Sequence, residues 1–342
     1  MVQNSLLLKV LNGEQVKSTP VWLMRQAGRY LPEYQALRNK YSFFERCQNP
    51  QLACEITLQP LKVLAVDAAI LFSDILVVPQ AMGMEVQLIE TKGPFLPDPI
   101  KTFKDLVRLK VPNIEESLGY VLEAIKLVNI ELNEKIPLIG FAGSPFTLLC
   151  YMVQGKGSKN FNEAKAFCYS QPELATQLLQ MITDTTIAYL AAQYKAGVQV
   201  VQIFDSWGGL LSPADFKVFS LPYLQQITSA LHTKLPIIVF SKGAWHSLPQ
   251  LAAMPASALG IDWCIQPQLA REMVGKSMVL QGNFDPAKLM APIPIIKEEV
   301  KKMMEAFEGL PHIANLGHGI LPQVPVSHAQ AFVDAVKEFG NK

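Results

Sequence analysis

Charge is scarce in this chain. Only 17% of its 342 residues are charged, and 30 basic residues against 29 acidic ones leave a net charge of +1. A general nucleic-acid or membrane-surface binder shows a basic excess, so neither partner is expected, and any anion must be held by a local cluster. Cysteine is scarce too: five residues, scattered, with no C-x-x-C pair. That set supplies neither a disulfide framework nor a zinc knuckle and fits a reduced, cytoplasmic protein. No apolar run reaches the roughly 18 residues of a spanning helix. The leading run at residues 6–8 is cut short by Lys9, so neither a signal peptide nor a membrane span is expected. H-E-x-x-H, the nucleophile elbow and zinc-ligand spacings are all missing, and no metal is expected. Residues 154–158 (QGKGS) look phosphate-friendly, but a Walker loop needs glycine where Cys150 stands and Ser or Thr where Gly157 stands. They are expected to form a mobile lid instead.

Apolar residues, by contrast, make up half the chain, enough for a large core. They fall into eight segments that read as strands, at residues 20–25, 68–73, 137–142, 198–204, 236–240, 258–263, 278–281 and 312–316. Helical periodicity separates most of them. Asn4 is expected to cap a leading helix that Gly13 stops. Asn49-Pro50 opens a helix to residue 64, and another follows over 114–133. Ser170-Gln171-Pro172-Glu173 has the form of a capping box and opens a helix ending at Gly197. Further helices are expected over 212–232, over 296–307, and from Ser327 to Gly340. Residues 41–46 read as a loop. Residues 76–113 interrupt the rhythm, with a small hairpin from 86–89 through a turn at Lys92-Gly93, and are too poor in apolar periodicity to carry their own core. Eight alternating units predict an α/β fold, a (β/α)8 TIM barrel with an N-terminal arm and an insertion after the second strand, as one domain over residues 1–342. An open doubly wound sheet would want a glycine fingerprint after the first strand, where Arg-Gln-Ala-Gly-Arg stands instead.

In a barrel the carboxyl ends of the strands converge on one face, where active sites sit. Those ends are Arg25, Asp74, Ser144, Asp205-Ser206, Lys242, Asp262, Asn283 to Asp285 and His318. Residues 20–34 (PVWLMRQAGRYLPEY) deliver Arg25 and Arg29 four residues apart, and Gly28 and Pro32 break up the chain beyond the apolar run. At that spacing two guanidinium forks can point the same way, toward a carboxylate or phosphate. Asp74 follows an apolar strand and stands at the edge of an apolar cavity; there it needs N–H donors or a cation to stay charged, or else serves only as a helix cap. His318, between two glycines, is placed to bind a carboxylate or pass a proton.

Several of these segments together resemble the uroporphyrinogen decarboxylase family: residues 20–34, 68–80 (AAILFSDILVVPQ), 151–153 with the glycine loop, 202–209 (QIFDSWGG), 280–286 (LQGNFDP) and 315–319 (NLGHG). The likeness covers nearly the whole chain. It implies a cofactor-free cytoplasmic homodimer that converts uroporphyrinogen III to coproporphyrinogen III in haem and chlorophyll synthesis, releasing four CO2. By the same resemblance Asp74 accepts the pyrrole N–H groups, while Arg25, Arg29, Arg38 and His318 hold peripheral carboxylates. Gln26, Ala27, Gly28, Phe43, Tyr151 and Ser206 line the pocket. Arg25, Tyr151, His318 and solvent are the candidate proton donors. The chain departs from the family pattern at Gln266, over residues 242–245 and over 323–325. A corrinoid-linked methyltransferase of the same superfamily and a non-catalytic tetrapyrrole carrier are the competing readings.

Overall fold

Seven apolar segments pair, all in parallel, into one sheet. They are β1 (Ala69–Ile70), β4 (Leu138–Gly143), β5 (Val200–Asp205), β6 (Ile237–Ser241), β7 (Ala258–Gly260), β8 (Val279–Phe284) and β9 (His312–Leu316), in that spatial order. The computed structural model describes residue 2, residues 5–89 and residues 93–341. Every residue of β6, β8 and β9 is buried, as in a parallel sheet covered on both faces. The sheet is curled. Gln281 on β8 donates to Gln202 on β5, three strands away, at 2.9 Å, and accepts from the indole of Trp22 at 3.0 Å. All three side chains are fully buried, so the chain of hydrogen bonds offsets much of the cost of placing amides there.

Residues 20–25 do not form the expected strand. Val21 makes one isolated parallel bridge, to Ala314 of β9. On its other side the Val21 carbonyl accepts from Asp67 N at 2.8 Å, just ahead of β1. Side chains take the N–H groups that a ladder would use: Asp67 that of Val21, Gln26 that of Leu23, and Asn315 that of Met24. The segment therefore touches both edges of the sheet without regular pairing. The strand expected over 68–73 is confined to Ala69–Ile70: Leu71 N still donates to Ile139 O at 3.0 Å, and on the edge away from β4 the Phe72 N–H goes to Thr57 Oγ1 at 2.9 Å.

Thr57 lies on Pro50–Val63, which starts as the sequence indicates. Asn49 caps Leu52 N, proline stands in the first turn, and Ala53, Ile56, Thr57 and Pro60 bury one face. Gly119–Leu132, the 25-residue Pro172–Ala196, Leu221–Leu231, Ile293–Ala306 and Val326–Phe339 are the other long helices.

Other expectations are corrected. Residues 41–46 are not a loop, because Ser42 and Glu45 form a reciprocal capping box that starts the helix Phe43–Gln48. Pro32 opens the helix Pro32–Arg38 rather than breaking the chain. Ser170 caps nothing downstream. It ends the preceding helix Asn162–Ser170, and its hydroxyl bonds back to the Ala166 carbonyl at 2.7 Å. Ser327 lies inside its helix, with Pro325 at the cap position. The helix over 212–232 breaks at Ser220, two residues before Pro222, into Pro213–Phe219 and Leu221–Leu231. Pro145–Gln154, capped by Ser144, is an additional helix.

The hairpin is β2 (Gln87–Ile89) against β3 (Gly93–Phe95). Lys92 of its expected turn lies outside the described residues, as does Asn4; the leading helix Leu6–Leu11 is capped by Ser5. The glycine-rich segment after Gln154 is tied to this hairpin through the Leu96 N to Gly155 O bond (2.7 Å) and a bridge between Phe95 and Lys156. No helix among the described residues is long and apolar enough to cross a membrane.

Candidate active site

A cavity of about 620 Å3 opens at the carboxyl ends of the strands. That volume suits a large organic ligand. Its floor is aromatic: Phe141, Phe204 and Phe240, from β4, β5 and β6, meet edge to face at 5.6 and 6.1 Å, and the His318 ring stands against Phe240 at 6.1 Å. The three phenylalanines are interior strand residues, and nothing in sequence separates them from core.

The polar groups on the wall are lopsided. Arg25, Arg29, Arg38 and Arg46 all line the cavity, and among the described residues Asp74 is the single carboxylate in its lining. Asp74 is half-buried, its remaining surface opening onto the cavity. Burial pushes its pKa up, against the Leu76 N–H that donates to Oδ1 at 2.7 Å and against the charge of Arg25. The bond to Leu76 spans two residues, a local turn; Leu76, not Asp74, is at the cap position of the helix Val77–Ala81.

Arg25 has φ +61°, a left-handed backbone that is uncommon outside glycine. Such strain often marks functional positions. Here it turns the chain after the buried run of residues 21–24 and sends an exposed side chain across Gly319. A Cβ on Gly319 would collide with Arg25 Cδ and Cγ, and one on Gly317 would lie 2.8 Å from Trp263 N. The two glycines flanking His318 thus permit close approach on either side of it.

His318 is neutral. Burial chiefly, then the charges of Arg25 and Lys242, push its pKa down to about 3.

Of the residues expected at the site, Arg25, Ala27, Gly28, Arg29, Arg38, Phe43, Asp74, Ser206 and His318 all line this cavity. Gln26 and Tyr151 do not. Gln26 is fully buried and holds the turn, donating to Ala68 O at 3.0 Å and accepting from Leu23 N. Tyr151 stands behind the wall, edge-on to Phe161 and Trp207 at 5.3 and 6.4 Å. Its pKa is raised, by burial first, with Asp74 adding to the rise and Arg25 easing it.

Other strand-end residues turn inward. Asp205, fully buried, accepts from the hydroxyls of Ser144, Thr147, Ser220 and Ser241. Asp262 accepts from Gly243 N and Cys264 N. Asn283 donates to Asp262 O and Ile265 O. Lys242 lies 5.8 Å from the Trp263 ring. Arg46 was within reach of the sequence, because Ser42-x-x-Glu45 announces the helix that carries it. Among the described residues no group of three His, Cys, Asp or Glu side chains is placed to hold a metal ion.

A parallel α/β sheet with a cation-rich cavity at its strand ends is the architecture of an α/β enzyme that takes an anionic ligand. Comparison with known proteins narrows the class. The family model described as uroporphyrinogen decarboxylase (URO-D) matches residues 2–339. A uroporphyrinogen decarboxylase of Flavobacterium johnsoniae is 58% identical over 340 residues, covering 99% of this chain and all of the relative. One from Dictyostelium discoideum is 46% identical over 347 residues, covering 100% of this chain and 95% of the relative. The chain belongs to the uroporphyrinogen decarboxylase family. Among solved structures, a methyltransferase from Methanosarcina mazei superposes with a TM-score of 0.84 at 25% identity, covering 98% of this chain and 99% of the other. A B12-independent methionine synthase from Shewanella, at 0.58 and 10% identity over 85% of this chain and 86% of that one, shares the fold alone.

Proposed function

We propose that this protein removes the four acetate carboxyls of uroporphyrinogen III as CO2, leaving the methyls of coproporphyrinogen III, in tetrapyrrole synthesis. The observation that carries the reading is the charge inventory of the cavity's described lining: four arginines around one carboxylate. The substrate has the inverse pattern, eight carboxylates at its rim and four pyrrole N–H groups within. A macrocycle laid on the phenylalanine floor would present its N–H groups to Asp74, which supplies the donors a buried carboxylate needs. Arg25, Arg29 and Arg38 would take rim carboxylates by charge-assisted bonds, and neutral His318 would donate one more. Ala27, Gly28, Phe43 and Ser206 shape the wall, while Gln26 fixes the turn beneath Arg25.

Decarboxylation needs an electron sink, commonly a cofactor. In this reading the pyrrole serves. Protonation at ring carbon makes an iminium-like cation, the bond to the carboxyl carbon breaks, and its electron pair flows into the ring. CO2 departs, a second proton completes the methyl, and the first proton leaves the ring carbon to restore the neutral pyrrole. Asp74 stabilises the cation as it develops, in a site where solvent screens little. Of the candidate proton sources, Arg25 and His318 line the cavity and solvent can enter it, while Tyr151 stands behind its wall. The same reading has residues 20–22 closing the curled sheet into a (β/α)8 barrel, residues 76–113 as an insertion, and residues 1–342 as one domain. Family membership supports a cytoplasmic homodimer that needs no cofactor.

The test is anaerobic incubation with uroporphyrinogen III, then oxidation and chromatography by carboxyl count. Appearance of the tetracarboxylate, with activity retained in chelator, is expected; unchanged octacarboxylate overturns the reading. The fold likeness to a methyltransferase gives a second reading some weight, although the decarboxylase relatives are far more similar in sequence. Methyl transfer from a methylated corrinoid, with the octacarboxylate untouched, would favour it.

A further inference from the structure

Arg46 is a buried cavity arginine that forms no ion pair with any described residue. It lies in the last turn of the helix Phe43–Gln48 and is 3% exposed. Its Nε donates to the Ser42 carbonyl at 3.3 Å, but Nη1 is buried with no hydrogen-bond partner. No carboxylate of the described residues forms an ion pair with it. The neighbouring acid, Glu45, is committed to the Ser42 N–H at 2.7 Å in the capping box. The guanidinium is held in place by two rings, 4.9 Å from the centre of Tyr34 and 5.7 Å from that of Phe43, and both rings line the cavity with it. Ring quadrupoles offset part of the cost of burying a cation, but they leave Nη1 without a hydrogen-bond partner.

Arg25 and Arg29 are exposed and must lose side-chain freedom when they grip a ligand. Arg46 has already lost it. A planar fork pinned by aromatic rings beside the cavity, with one donor left unpartnered, is preorganised for a carboxylate. We propose that Arg46 is a further substrate-binding residue, a fixed subsite for one peripheral carboxylate of the macrocycle. The inference rests on the decarboxylase reading for the identity of its ligand. Because the donor is unused in the free protein, its contribution belongs to binding and not to folding.

The experiment compares wild type with Arg46→Met and Arg46→Lys. Anaerobic KM and kcat are measured for uroporphyrinogen III. Kd is measured by tryptophan quenching for uroporphyrinogen III and for the tetracarboxylate coproporphyrinogen III, and Tm is measured without ligand. In Arg46→Met we expect KM and Kd to rise about tenfold or more, as for loss of a hydrogen bond to a charged group. The kcat should stay within about threefold and the ligand-free Tm should not fall; Arg46→Lys should recover part of the affinity. Weakening for uroporphyrinogen alone assigns an acetate to the subsite, and equal weakening for both ligands assigns a propionate. Unchanged Kd for both overturns the proposal, and so does failure of both variants to fold, since that would make Arg46 a structural cation. If wild type binds uroporphyrinogen without converting it, the decarboxylase reading falls, while the Kd comparison still decides Arg46.

Discussion

The backbone N–H of Gly319 donates to Nδ1 of His318 at 2.6 Å. An Nδ1 that accepts must be bare, so the neutral ring carries its proton on Nε2. His318 is therefore suited to donating a hydrogen bond to a carboxylate rather than pairing with it as a cation. With its pKa pushed down to about 3 by burial, Arg25 and Lys242, it should not titrate between pH 5 and 8. Nitrogen-15 chemical shifts of the imidazole should show the Nε2–H tautomer across that range. The linkage has a definite sign. Between pH 3 and the unfolded value near 6.5 the unfolded chain binds a proton that the native one does not, so this group makes stability rise with pH over that window. His318→Gln should flatten that part of the stability profile; an unchanged slope would show that His318 titrates normally.

Asp74→Asn should separate stability from turnover. Burial raises the carboxyl pKa of Asp74, so the native state is penalised for its ionisation above the ordinary aspartate value, and stability from this group falls as pH rises through that region. An amide removes the penalty. The ligand-free Tm at pH 7 should hold or rise, while kcat falls by about a hundredfold or more for lack of an anion facing the ring cation. Near-normal turnover would remove Asp74 from the mechanism.

Much of this site is legible in sequence, because each of Arg25, Asp74, Ser206 and His318 comes after an apolar run and the ends of parallel strands must converge. The phenylalanine floor is not, since Phe141, Phe204 and Phe240 differ from core residues only in facing a void. Gln26 sits between two cavity residues, yet the left-handed turn at Arg25 sends its amide back to Ala68. The motif at 170–173 misleads because two helices abut there, and a local pattern cannot tell the last residue of one from the cap of the next. Residues 20–25 look like a strand because they are apolar; they lack a partner ladder, since Asp67, Gln26 and Asn315 take their N–H groups.

Gly319→Ala should act chiefly through Arg25. The new methyl would occupy the space through which the Arg25 stem runs, so that side chain must swing aside. Gly319 is buried among the lining residues, leaving the ligand cavity as the direction in which Arg25 can yield. A KM raised about tenfold is expected, corresponding to one displaced charge-assisted bond, with the fold retained. An unchanged KM would mean that Arg25 does not grip the substrate from this position.

Asp205 offers a test of how the floor is held. Its two oxygens gather four hydroxyls: Ser144 at 2.5 Å and Thr147 at 3.2 Å on one, Ser241 at 2.7 Å and Ser220 at 3.1 Å on the other. The carboxylate thereby ties the ends of β4, β5 and β6 together just below Phe204 and Ser206. Burial raises its pKa, against the four hydroxyls that lower it. Alanine would leave all four donors without their acceptor in a site with no room for bulk water. At about 1 kcal/mol for each net hydrogen bond, Asp205→Ala should lose about 2–4 kcal/mol of unfolding free energy in urea titrations. Asn keeps one acceptor, and serine hydroxyls can rotate to accept from its amide, so Asp205→Asn should lose less than half as much. Equal losses for the two variants would mean that the charge, rather than the acceptor geometry, holds the strand ends.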